Sequence, residues 1–154
     1  MKDYKQSILV VCLDEKKGQE VAHFLADELG MLFASCKDIV NYEVFDTKAV
    51  IEKCGVDYFE KKEISAIKHI AKYENSVIFV DYEYFNKGYN YFISNCNFVF
   101  VKAKKKQLDK EEQINLLAFE EREVELEKKC EVVVPLKSTK KTVEEILKEF
   151  RREA

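Results

Sequence analysis

Apolar residues recur along this chain in two rhythms. Unbroken runs of strand length occur at Ser7–Cys12, Met31–Ala34, Ser76–Asp81, Asn97–Val101 and Glu131–Val134. Between them lie longer stretches in which apolar positions return every three to four residues, the period of a helix with one buried face. Val21, Phe24, Leu25, Glu28 and Leu29 fall mostly on one such face, and Gly30 is placed to cap that helix at its C-terminus. The stretch 59–73 repeats the pattern with Phe59, Ile64, Ile67, His69, Ile70 and Ala71. The last helix is expected to open with a capping box at Thr142–Glu145, just after the only proline, Pro135. Continuous apolar strands alternating with helices imply a parallel sheet covered on both faces. No linker or internal repeat breaks the pattern. A single α/β/α sandwich over residues 1–154 is the expectation.

Composition narrows the class. The chain is 47% hydrophobic and 36% charged, which is globular rather than disordered, and its length is enough for a substantial core. A net charge of −3 and a pI near 5.6 make nucleic acid an unfavoured partner. No apolar run approaches the roughly 20 residues of a membrane-spanning helix. The opening MKDYKQS lacks the basic-then-apolar layout of a signal peptide. The five cysteines never form a C-x-x-C pair, so buried thiols in a reducing compartment are expected. With only His23 and His69 a zinc site is unfavoured, and the cytoplasm is the expected location.

Chemistry enters at ILVVCLDEKKGQEVAHFLADELG, residues 8–30. Strand, short polar loop and amphipathic helix form the layout with which many nucleotide-binding proteins cradle phosphate. The phosphate-binding pattern G-x-x-x-x-G-K-[ST] needs glycines that turn backbone N–H groups towards the phosphates. It also needs a lysine for the β and γ oxygens and a hydroxyl for Mg²⁺. Here the loop holds Asp14, Glu15, Lys16 and Lys17, and its only glycine is Gly18.

Further pieces follow in a recognisable order. Leu25-Ala26, Leu29-Gly30 and Phe33 fit an L-A-x-x-L-G-x-x-F pattern, and Val56-Asp57-Tyr58-Phe59 is followed by Glu63. Near the C-terminus come Glu121-Arg122, Leu126-Glu127 and Cys130-Glu131-Val132-Val133-Val134. This series resembles shikimate kinase, within the wider P-loop group of nucleoside-monophosphate-kinase-like proteins, over nearly the whole chain. The resemblance implies a five-stranded parallel sheet in the order 2-3-1-4-5, and it places Arg122 at the family's substrate-binding arginine.

The same alignment shows what is missing. Cys12 and Lys17 take the two loop glycines, Gly18 the lysine and Gln19 the hydroxyl. Sliding the register by one puts Gln19-Glu20 in place of Lys-Ser/Thr. Ser35-Cys36-Lys37 stands where the family has D-x-D, Glu60 where it has an arginine, and Tyr82-Glu83-Tyr84 where it has a glycine triplet. The lid is reduced to Lys102–Lys110, without an arginine. Together these groups supply most of the positioning and charge neutralisation in phosphoryl transfer.

Candidate residues remain. Lys16, Lys17 and Arg122 form a possible anion or substrate site, set against a solvated turn of mixed charge. Asp81, at the end of Val77–Val80, resembles the acidic residue that holds Mg²⁺ through water, or is simply a strand-ending aspartate. Tyr82, Tyr84, Phe85, Tyr89 and Tyr91 either form a protein interface or pack over the sheet. Lys102–Lys106 is a basic run, most simply a solvated one. Cys12 precedes a helix N-terminus, but no histidine lies near it in sequence to activate the thiol. Glu120–Lys129 is a helix laced with i, i+4 charge pairs.

Two functions follow as expectations. One is a degenerate shikimate-kinase-like protein without phosphoryl transfer, acting as a binding or regulatory module with a protein partner or as a homodimer. It would need no cofactor. The other is a small-molecule kinase for shikimate or a nucleotide with a non-standard site, which would use ATP and Mg²⁺. In the first case, Asp14 or Glu15 is expected to fold back onto the free N–H groups of the following helix.

Overall fold

The computed structural model describes residues 7–44, 47–104 and 116–153. Five strands alternate with helices: β1 (Ser7–Cys12), α1 (Glu15–Leu29), β2 (Leu32–Ser35), α2 (Cys36–Glu43), α3 (Thr47–Cys54) and α4 (Val56–Ile70) come first. Then follow β3 (Ser76–Val80), α5 (Tyr82–Phe92), β4 (Cys96–Lys102), α6 (Leu116–Lys129), β5 (Val132–Pro135) and α7 (Thr139–Glu153). The sheet order is β2-β3-β1-β4-β5, the order the resemblance implies, and every pairing is parallel.

Side-chain alternation divides the core. Successive residues of a strand point to opposite faces. Ile8, Val10 and Cys12 of β1, with Val77 and Phe79 of β3, face Val21, Leu25, Val143 and Ile146 of α1 and α7. Leu9, Val11, Ile78 and Val80 face the other way, onto Val40, Ile67, Phe85 and Leu126 of α2, α4, α5 and α6. Every residue of β1 is buried, as a central parallel strand requires.

Element ends depart from the sequence reading for local reasons. β2 starts at Leu32 because Gly30 adopts the left-handed conformation at φ 64° and the Met31 N–H returns to the Ala26 carbonyl at 2.9 Å. α4 begins and ends about one turn before the expected 59–73 stretch, directly after Gly55 at φ 87°. α7 also opens a turn early, and the Thr142–Glu145 capping box is not its start. Ser138 Oγ accepts the Lys141 N–H at 3.3 Å. Thr142 lies inside the first turns, where its hydroxyl donates to the Ser138 carbonyl at 2.9 Å. All five cysteines are thiols; Cys12, Cys36, Cys96 and Cys130 are buried as expected, whereas Cys54, at the end of α3, is exposed. Among the described residues no helix is long and apolar enough to cross a membrane.

Candidate functional site at the carboxyl ends of the strands

The connection from β1 to α1 is only Leu13 and Asp14. Asp14 takes an extended conformation at φ −92°, ψ 95°, and its carboxylate accepts the Lys17 N–H at 3.1 Å. The Gly18 N–H already bonds to the Asp14 carbonyl at 2.8 Å, so residues 15–18 are the first turn of the helix rather than a loop. The wide backbone cradle of a phosphate loop is absent at this connection. Its space at the helix N-terminus holds a side-chain carboxylate, which satisfies an orphan donor as an anion there does.

Gly18 has a packing reason. A Cβ built on it would lie 2.5 Å from the Phe79 ring and 2.6 Å from Cys12 Cβ. Only a residue without a side chain lets this turn of α1 press against β1 and β3. Lys16 and Lys17 point to solvent from the same turn, with Lys17 3.8 Å from Glu20.

Asp81 sits one residue beyond β3, at the N-cap position of α5, and is 6% exposed. Its carboxylate does not cap the helix, and Oδ1 has no hydrogen-bond partner among the described residues. Burial, with the Glu15 carboxylate second, pushes its pKa up to about 6 against the opposing pull of Lys37. Lys37 itself reaches Glu15 at 3.4 Å. Beside this group the Cys36 thiol is pushed up to about 12 by burial and by Asp81 and Glu63, which makes it a poor nucleophile. Glu63 is buried on α4 and accepts from the Tyr84 hydroxyl and from Lys87 Nζ, both at 2.8 Å. Burial and that bond hold the Tyr84 phenol well above its ordinary range.

Arg122 projects from α6, its guanidinium 4.6 Å from the centre of the Tyr82 ring. The Tyr82 hydroxyl donates to Glu125, and Lys129 pairs with the same carboxylate at 2.8 Å while lying 4.8 Å over the Tyr89 ring. Arg122 is thus engaged in joining α6 to α5, whereas Lys16 and Lys17 belong to α1.

The aromatic segment is divided between core and surface. Phe85, expected as an interface residue, is completely buried and packs edge-on against Phe98 at 5.4 Å. The correction follows from α5 crossing the sheet with Phe85 on its inner face. Tyr82, Tyr84 and Tyr89 are half-buried, and Tyr91, 37% exposed, lies under Lys68 at 5.2 Å. Of the basic run, Lys102 is paired with Glu123 and Glu127, and Lys105 and Lys106 lie outside the described residues.

Among the described residues no group of three His, Cys, Asp or Glu side chains is placed to hold a metal ion. The sequence reading did not select Lys37 or Cys36 as site residues. Glu63 was legible as a charged residue one turn before Ile67 on the apolar face of α4.

No protein-family model and no curated protein matches the chain. Solved structures do. Shikimate kinase from Acinetobacter baumannii in complex with shikimate aligns with a TM-score of 0.76 at 12% identity, covering 97% of this chain and 94% of that one. Shikimate kinase from Aquifex aeolicus aligns at 0.72 and 21% identity, covering 94% and 96%. A gluconokinase from Sinorhizobium meliloti aligns at 0.56 and 18% identity, covering 99% and 95%. These likenesses show the fold, which is that of the shikimate kinases and related P-loop kinases.

Proposed function

We propose that this chain is a shikimate-kinase-like protein that does not transfer phosphoryl groups and serves as a cytoplasmic binding or regulatory module. One observation carries the reading: the two-residue β1–α1 connection closes on itself through Asp14 and the Lys17 N–H. One of the backbone donors at this turn, the Lys17 N–H, is directed at the protein's own carboxylate, and the Gly18 N–H at the Asp14 carbonyl. Glu15 adds negative charge on the same turn, where a triphosphate would meet repulsion. Without a lysine and hydroxyl in register, Lys16 and Lys17 offer only exposed charge, and Arg122 alone does not define a trihydroxy acid.

A second reading, an ATP-dependent small-molecule kinase with a non-standard site, draws on Asp81. It lies where α/β sheets bind ligands, with a carboxylate oxygen unsatisfied among the described residues. A thermal-shift series with ATP, ADP, shikimate and Mg²⁺ separates the two. A ligand at 100 times its Kd stabilises by about 2.7 kcal/mol, which moves the midpoint by several degrees. The first reading predicts no shift. A saturable shift with nucleotide, accompanied by shikimate phosphate above a no-enzyme control, supports the second.

A further inference from the structure

The most exposed apolar side chains lie away from the loop, along the open edge of the sheet. Among the described residues β2 pairs with β3 alone, so its outer edge has no neighbouring strand; Leu32 is exposed and Phe33 half-buried, while Ala34 and Ser35 are buried. Beside this edge runs a groove of about 680 Å³ whose lining includes Leu32, Ile39, Tyr42 and Tyr73. Leu32 is 70% exposed and Tyr42 85%, the two highest values among the large hydrophobic side chains described. Burial in the free protein does not account for either. The acidic side chains lining the groove are Asp38 and Glu43, and no lysine or arginine among the described residues lines it.

We propose that this edge receives an extended segment of another protein, apolar at alternate positions and flanked by lysine or arginine, which adds as a strand beside β2. Three features converge on that occupant. An open strand edge offers main-chain hydrogen bonds only to another extended chain. Alternation follows because every second side chain of an added strand would face the groove. Basic flanks follow because Asp38 and Glu43 leave the rim uniformly negative, and complementary charge selects the partner. A second copy of this chain fits less well. Two-fold pairing through β2 would place the acidic rims of both copies in one interface with no lining cation to offset them. The surface is independent of whether the β1–α1 connection binds nucleotide, and nucleotide titration leaves it untested.

Fluorescence anisotropy tests it with two labelled ten-residue peptides that share a Val-Thr alternating centre. One carries lysines at both ends and the other glutamates. The lysine peptide is expected to bind saturably, about tenfold or more tighter than the glutamate peptide. Its binding should weaken with salt and slow amide exchange along β2. The double substitution Leu32→Ser and Tyr42→Ser should abolish binding while leaving the melting curve in place, since both side chains are exposed. Replacing Asp38 and Glu43 with lysine should reverse the peptide preference. The proposal is overturned if neither peptide binds below about 1 mM, or if binding survives the Leu32 and Tyr42 substitutions. It is also overturned if the protein alone sediments as a dimer that those substitutions dissociate, which would assign the groove to a second copy.

Discussion

The carboxylate of Asp14 accepts the backbone N–H of Lys17 at 3.1 Å, so a donor at the start of α1 is taken by the protein's own side chain. The contact is an N-cap bond, and such bonds stabilise by about 1 kcal/mol. Asp14→Ala should therefore lower stability by about that amount in urea titration, and Asp14→Asn by much less. If alanine is tolerated without cost, the carboxylate is not held at the helix terminus.

Gly18 is a packing glycine. Its neighbours, the Phe79 ring and Cys12 Cβ, stand within 2.6 Å of any added Cβ. Gly18→Ala should destabilise by about 1–3 kcal/mol through overpacking, although alanine is the better helix former. Adding Phe79→Leu should recover part of that loss by making room. A neutral or stabilising Gly18→Ala would mean that α1 stands further from the sheet.

Asp81 should make stability fall as pH rises. Its folded pKa of about 6 lies above the ordinary 3.8, so the folded protein holds a proton that the unfolded chain has released. The penalty is absent below about pH 4, grows between pH 4 and 6, and is fully present above. At 1.36 kcal/mol per unit it amounts to about 3 kcal/mol. Asp81→Asn should therefore stabilise the protein at pH 7.5 and hardly at all at pH 3.5. Equal effects at both values would show that Asp81 keeps an ordinary pKa.

Much of this architecture was legible in the residues. Five apolar runs bounded by polar turns marked the strands, because the central parallel strands are covered on both faces and nearly every position in them is apolar. Boundaries slipped where a cap decided them, at Gly30–Met31 and at Ser138. The helices α2 and α3 have 8 residues each, too short for a helical period to be told from chance, and were not singled out. At the site, Asp14 was readable as an acid beside a helix N-terminus, since that is a local relation. The packing of Gly18 on Phe79 and the joining of Glu63 to Tyr84 and Lys87 were not. They depend on how elements more than 20 residues apart come together.

Calorimetric titration with ATP and Mg²⁺ tests the central claim most directly. With Asp14 seated on the Lys17 N–H and no lysine in register, millimolar nucleotide should produce no saturable heat, in the wild type and in Lys17→Ala alike. Micromolar affinity for ATP in the wild type that disappears in Lys17→Ala would contradict the account.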